Sequence, residues 1–570
     1  MSLSNQYGNL RPSLLLDFAN SETIDPRITF ARASTARYYD QNTVAKAEEN
    51  LLLQSQTFSN AAWSKTTITE GALATAPDGT ATAASLTAAG ANSTIVQSVT
   101  AAAGDHTFSV WLRRVTGTGN VDISAHSGGT WVTQTITSSW ARYTVTQTLT
   151  AGARTPGIRI ATSADAVEVW GAQLEQRSAA TAYTATTTAP ITRYQPQLMT
   201  AAAGVARLDH DPITREARGL LIEESRSNLM TFTEDLTNVA WVKTAASITA
   251  NATVAPDGTL TADAVIENTA TGVHRAQQVL SVTPNTYTIS AYVKAAGRDV
   301  IRVEVSQPGE TAVGVHYDLL NQVVSLNQDN RGVNPFIQSV GNGWLRVGVT
   351  VVQTGGGASS MYFYGMPRSL LTAGNSWTGD GYSGFFLWGA QIELAGFATS
   401  YIARLDATAA SRAADAASMT GTNFSAWFRA DEGTLYAEFN TGVTSATVDT
   451  PGTGRGVAAI TDNTPNNRLR FAISTFLARA GGATVAEIYG AVVAAGTTYK
   501  TAAVYALNDY ALSVNGVLSG TDTSGVLPTG LSRLDIGAST EAGGILNGYV
   551  RKLAFYPKRL ANSQLQSLTR

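Results

Sequence analysis

Trp170-Gly171-Ala172-Gln173-Leu174-Glu175 returns 218 residues later as Trp388-Gly389-Ala390-Gln391-Ile392-Glu393. Each runs, after a short spacer, into a matching tail: Ala180-Thr181-Ala182-Tyr183 in the first copy and Ala398-Thr399-Ser400-Tyr401 in the second. Towards the N-terminus, Asn50-Leu51 and Ala62-Trp63 match Asn228-Leu229 and Ala240-Trp241, and Pro77-Asp78-Gly79-Thr80 matches Pro256-Asp257-Gly258-Thr259. Ser109-Val110-Trp111-Leu112 likewise matches Ser290-Ala291-Tyr292-Val293. A repeat of this length is a duplicated domain, which points to surfaces displayed in series rather than to one buried active site. The spacing between equivalents grows from 178 at Trp63 and Trp241 to 181 at Trp111 and Tyr292, 204 at Trp140 and Trp344, and 218 at the motif. The second copy therefore carries longer loops between equivalent strands, and loops on a fixed scaffold are where specificity resides.

The 570-residue chain is rich in Thr, Ala, Ser, Gly and Val, with 51 Gly and 14% charged residues, a balance that favours short strands and turns over helices. Period-two alternation in Thr107-Phe108-Ser109-Val110-Trp111-Leu112, Ala141-Arg142-Tyr143-Thr144-Val145-Thr146 and Gly433-Thr434-Leu435-Tyr436-Ala437-Glu438-Phe439 marks half-buried strands. Asn515-Gly516, flanked by Tyr510-Ala511-Leu512-Ser513-Val514 and Val517, reads as the turn of a hairpin. The expected fold class is all-β, a series of antiparallel β-sandwich domains. Length allows several domains, divided here as a leader (1–47), a first module (48–191), a connector (192–222), a second module (223–405) and a third domain (413–570) closing in a short helix. The leader has too little apolar content for its own core; it either pairs with a neighbouring domain or attaches the chain to something larger.

Several chemistries find no support. The chain has no cysteine, which removes disulfides and thiolate metal sites. A net charge of −3 with scattered signs gives no footprint for nucleic acid, and neither a secretory signal nor a membrane span is read. Asp209-His210-Asp211-Pro212 reads as a turn, and Gly355-Gly356-Gly357 lacks the Lys-Ser/Thr of a phosphate loop. Glycoside hydrolysis needs two carboxylates facing each other across the scissile bond, and the acidic residues show no such pairing, so no enzyme is expected.

Two resemblances follow. Ala511-Leu512-Ser513-Val514-Asn515-Gly516, Arg533-Leu534-Asp535-Ile536-Gly537 and the closing Leu553-Ala554-Phe555-Tyr556 resemble a concanavalin-like or laminin-G-like jelly roll. The repeated modules resemble the carbohydrate-binding jelly rolls of bacteriophage tail fibres and head spikes. Gly219-Leu220-Leu221-Ile222-Glu223 and Phe30-Ala31-Arg32-Ala33-Ser34-Thr35 are also similar to phage virion sequences. The resemblance implies a virion-surface protein with an N-terminal attachment segment, and partners among the capsid or tail proteins. It further implies host cell-surface polysaccharide as ligand and a homo-oligomer, with trimers common in the family. It also implies a structural calcium near Glu49, Glu175, Glu224 and Glu393; the alternative is that these carboxylates accept backbone or Arg hydrogen bonds, and no Asp-rich calcium loop is present.

Aromatic faces stack on sugars, but the repeated Trp63, Trp111, Trp140, Trp170, Trp241, Trp344 and Trp388 read as core, since Trp pins the sheets of a sandwich. The unrepeated Trp131, Trp377, Tyr382 and Tyr364 are the glycan-binding candidates, on the expectation that they stand exposed on loops.

Overall fold

The computed structural model describes residues 11–306, 311–327, 332–372, 374–443, 454–539 and 544–570, so the first ten residues of the leader lie outside it. The described chain is all-β: antiparallel sheets, with the short α-helices Thr422–Ser425 and Asn562–Leu568. Three sandwiches account for most strands, each closed over its own apolar core.

The first copy packs two five-stranded sheets. One orders Val132–Gln134, Val121–Ser124, Gly157–Ile160, Ser93–Gln97 and Trp63–Thr66; the other orders Ala141–Leu149, Gly104–Thr116, Ala166–Glu175, Ala84–Ala88 and Ile68–Glu70. The second copy repeats both orders and adds one strand at the same edge of each sheet, Val323–Asn327 and Gly332–Gly341. These strands lie where the spacing jumps from 181 to 204, so much of the extra length expected as loop is sheet. Val324 and Ile337 pack against the core of the second copy, which holds the added strands in place.

The repeated words are explained by local geometry. Trp170 pairs with Trp111 and Gln173 with Ser109, so one extra residue bulges from the strand between them; Trp388 and Gln391 bulge identically against Tyr292 and Ser290. The bulge places Gly171 at φ 63° and Gly389 at φ 61°. A Cβ on either would also stand about 3 Å from the Trp111 or Tyr292 ring, so conformation and space both demand glycine. Asn50 spends its whole amide on the fold: Nδ2 donates to the carbonyls of Ala172 (3.0 Å) and Thr184 (2.9 Å), and Oδ1 accepts from the amides of Leu52 and Leu174. Asn228 does the same with Ala390, Ile402, Met230 and Ile392. The tail is held by Glu175, which accepts from the amide and hydroxyl of Thr181, and in the second copy by Glu393 with Thr399.

Leader and connector both enter the third sandwich. Leu14–Asp17 pairs with Gly548–Tyr556, Thr29–Ala31 with Ala416–Thr420, and Ala217–Ile222 with Gly548–Tyr556. Leu14, Leu16, Phe18, Ile28, Leu220 and Ile222 join the C-terminal core. Asp209-His210 belongs to the strand Leu208–His210, and the turn expected there begins at Asp211, whose carboxylate accepts from the amides of Ile213 and Thr214. The Asn515-Gly516 hairpin forms as read, both residues having positive φ between Asp509–Val514 and Val517–Asp522.

Between leader and connector, Ala36–Asn50 and Ile191–Ala201 form a long two-stranded ribbon leading into and out of the first copy. At its far end five charged side chains are buried together. Asp415 binds Arg32 (3.0 Å) and Arg207 (2.5 Å), and Glu223 binds Arg207 (2.7 Å) and Arg412 (3.3 Å). Burial opposes ionisation of Glu223, but the charges of Arg412 and Arg207 and the hydrogen bonds from Ser400 outweigh it and hold its pKa at about 2, below the ordinary 4.5. A depressed folded-state pKa contributes stability that is present above pH 4.5 and lost as pH falls towards 2, here about 3 kcal/mol. Urea unfolding of the parent and of Glu223→Gln at pH 6, 4 and 3 checks this: the parent midpoint falls more steeply below pH 4.5 than that of the variant, and parallel profiles would show that ionised Glu223 contributes no such stability.

Candidate functional site

Strand alternation sends Ser109, Trp111 and Arg113 of Gly104–Thr116 to the outer face of the first copy, while Phe108, Val110 and Leu112 enter its core. Glu168 and Trp170 come out beside them, and the tail folds Tyr183 back over the same face. Trp111, Trp170 and Tyr183 form a ring cluster with centroids 4.9–5.6 Å apart, mostly edge to face. Trp140 extends the face: its Nε1 donates to the Thr75 carbonyl (3.1 Å), and the Arg113 guanidinium lies 4.9 Å over its ring. Beneath Trp111, at 4.5 Å, lies Arg142, whose pKa burial pushes down to about 10 although Glu175 and Tyr183 oppose the shift. Arg142 stays charged at neutral pH and donates to the Thr181 carbonyl and the Ser109 hydroxyl.

The second copy has the same construction with a cover. Tyr292, Trp388 and Tyr401 reproduce the ring cluster, Arg346 lies over Tyr292, and Trp344 donates to the Val254 carbonyl (3.0 Å). Here the ribbon lies on top: Tyr39 and Leu198 join Tyr292, Trp344, Trp388 and Tyr401 in one buried cluster. The Leu198 amide donates to the Pro256 carbonyl (2.8 Å), Gln197 Nε2 to the Asp257 carbonyl (2.9 Å), and Lys294 Nζ sits 2.5 Å from Glu48. Trp344 and Tyr292 are 0% and 3% exposed under the ribbon, whereas their equivalents Trp140 and Trp111 remain partly exposed, as does Tyr183; Trp170 and Trp388 are buried in both copies.

The surround differs in chemistry as well. Ser85 pairs with Glu168 in the first copy where Ala264 pairs with Phe386 in the second, and Thr87 stands where the second copy has Ile266. Ser85, Thr87 and Glu168 are all partly exposed, so the first copy keeps the aromatic cluster but sets it among hydroxyls and charge. Covering such polar groups without replacing their hydrogen bonds costs free energy, which disfavours an apolar cover such as Tyr39 and Leu198 give the second copy.

The residues singled out from sequence fall apart in space. Tyr364 is fully buried and Trp377 nearly so, which corrects the expectation of loop exposure for both. Trp377 packs on His274 (4.7 Å) and donates to Glu267, because the insertion that carries it folds back and pairs with Thr271–Gly272; Tyr364 lies in the strand Gly357–Met366 and accepts from Arg275. Trp131 is partly exposed, just before the edge strand Val132–Gln134 of the opposite sheet, under Arg159 (5.2 Å). Tyr382 is exposed, and its hydroxyl lies 2.8 Å from where a Cβ on Gly79 would stand, against the turn at the rim of the first-copy face. Trp111 and Trp140, read as core, are partly exposed instead. The legible signal was the exchange of Ala264, Ile266 and Phe386 for Ser85, Thr87 and Glu168 at outward strand positions.

Among the carboxylates considered for calcium, Glu49 pairs with Lys46 and accepts from the Gln176 amide, Glu224 pairs with Arg226, and Glu175 and Glu393 hold the tails. No group of three or more His, Asp or Glu that could hold a metal ion occurs among the described residues. Within them, too, no helix is long and apolar enough to cross a membrane.

The contrast between copies predicts different costs of truncation. Trp344→Ala lowers stability by about 3–5 kcal/mol, as for a fully buried Trp, and Trp140→Ala by roughly 1–2 kcal/mol, as for a partly exposed one. Denaturant unfolding measures both; equal losses would mean that the two faces are equally buried. No protein-family model matches the chain, and no curated protein matches it in sequence.

Proposed function

We propose that this chain is a virion-surface protein of a phage or phage-like particle, a head spike or tail fibre, that adheres to host cell-surface polysaccharide through the outer aromatic face of its first module. The observation that carries this reading is the face itself: Trp111, Trp140 and Tyr183 partly exposed among the hydroxyls of Ser85 and Thr87. A sugar ring has an apolar face that stacks on an aromatic side chain and hydroxyls that need partners, so this mixture suits it. The duplicated architecture and the sequence resemblance to phage spikes and fibres support the same role. One such contact is weak; assembly into a homo-oligomer on the particle raises avidity by roughly 10²–10⁴ over a single site. The role is binding without cleavage, with capsid or tail proteins as the partners that anchor it.

A second reading has one observation in its favour. The equivalent face of the second copy is filled by the chain's own ribbon, so this construction is able to seat protein. In that reading the chain is a decoration or linker protein, and the first-copy face receives another virion protein.

Electrophoresis in native gels cast with extracted host capsular polysaccharide or lipopolysaccharide separates the readings. Adhesion predicts retardation of the parent without clearing of the glycan, and loss of retardation in Trp140→Ala. Clearing would make the protein an enzyme, and unretarded migration in every host glycan would favour the structural role.

A further inference from the structure

The two copies place a cation at the same outward position beside their aromatic clusters, Arg113 in the first and Lys294 in the second. The second copy shows what that position does when the face is filled: Lys294 Nζ takes the carboxylate of Glu48, delivered by the ribbon from outside the module. In the first copy, Arg113 Nε is held by Glu168, while neither terminal nitrogen has a hydrogen-bond partner among the described residues. The Arg113 side chain is 31% exposed and lies against Trp140, so whatever touches the outer edge of Trp140 comes within reach of that guanidinium.

We infer that the first-copy face selects saccharides bearing a carboxylate, uronic acids or related acidic sugars, with Arg113 as the residue that recognises the charge. This rests on the saccharide reading of the face and adds the class of sugar. A guanidinium offers parallel N–H donors that match the two oxygens of a carboxylate, which the point charge of an ammonium does not. Glu168 does not exhaust it: Arg207 of this chain holds two carboxylates at once, Glu223 on one terminal nitrogen and Asp415 on the other. The polar surround favours a sugar over a second protein ribbon, because Ser85, Thr87 and Glu168 replace Ala264, Ile266 and Phe386, which pack in or against the same apolar cluster as Tyr39 and Leu198 of the ribbon.

The test uses the full chain and surface-immobilised polygalacturonate, alginate and hyaluronan, each beside its carboxyl-reduced form. The quantity read is the ratio of affinities, acidic over reduced, for the parent, Arg113→Gln and Arg113→Lys, with Trp140→Ala as the control for the face and thermal unfolding as the control for folding. The expected ratio in the parent is about tenfold or more, the scale of one charge-assisted hydrogen bond. It falls towards one in Arg113→Gln and is partly kept in Arg113→Lys. A parent ratio near one, with binding that Trp140→Ala still weakens, would overturn the preference for acidic sugars and leave the saccharide reading standing. Binding to none of the polymers would overturn both. Self-association of the parent that Trp140→Ala abolishes would assign the face to a second copy of the chain instead.

Discussion

Arg32, Arg207, Glu223, Arg412 and Asp415 come from the leader, the connector, the start of the second module, and the link into the last domain with that domain's first residues, and they are buried together. Such a cluster adds little stability over an apolar substitute, but it tolerates no missing member: one removed partner leaves a buried charge at a cost of about 3–5 kcal/mol. Its consequence here is register. Arg32 also donates to the carbonyl of Ala202 and Arg207 to that of Arg37, so the cluster grips both strands of the ribbon at one end. Ser400, on the tail of the second copy, is bound to Glu223, Arg207 and Arg412. Ribbon, second copy and C-terminal sandwich are thereby fixed around one point, and the ribbon is held across the second aromatic face.

That placement divides the labour between two copies of one construction. Both keep the glycine bulge, the asparagine pin, the capped tail and the three-ring cluster, because these close the sandwich. The outward residues around the rings have diverged with the fate of the face. Where the ribbon lies, Ala264, Ile266 and Phe386 pack in or against the same apolar cluster as its Tyr39 and Leu198; where none lies, Ser85, Thr87 and Glu168 are partly exposed. The Tyr382 hydroxyl of the second copy reaches the Pro77-Asp78-Gly79-Thr80 turn of the first, so the longer copy also shapes the rim of the open face.

The fold class, the duplication and the Asn515-Gly516 hairpin were legible because local signals carry them: period-two alternation, repeated words and a dipeptide that accepts positive φ. The pairing of Leu14–Asp17 with Gly548–Tyr556 was not, since a four-residue apolar strand says nothing about a partner more than 500 residues away. The ion cluster was half visible. Arg32 lies in Phe30-Ala31-Arg32-Ala33-Ser34-Thr35 and Glu223 in Gly219-Leu220-Leu221-Ile222-Glu223, but no one-dimensional pattern brings them to one place. Burial of the tryptophans misled in both directions for one reason: residue type sets how much area a ring has to bury, while exposure depends on what lies over it. Trp140 and Trp344 are equivalent in sequence and hydrogen bonding, and differ in what surrounds and covers them.

Hydroxyl-radical footprinting of the full chain, with and without bound host polysaccharide, tests the division between an open and a sealed face most directly. Trp111 and Trp140 should be oxidised in the free protein and protected by the polysaccharide, with Trp344 and Trp388 unreactive in both. Reaction of Trp344 and Trp388 in the free protein, or protection that falls on Trp131 and leaves Trp140 unchanged, would contradict it.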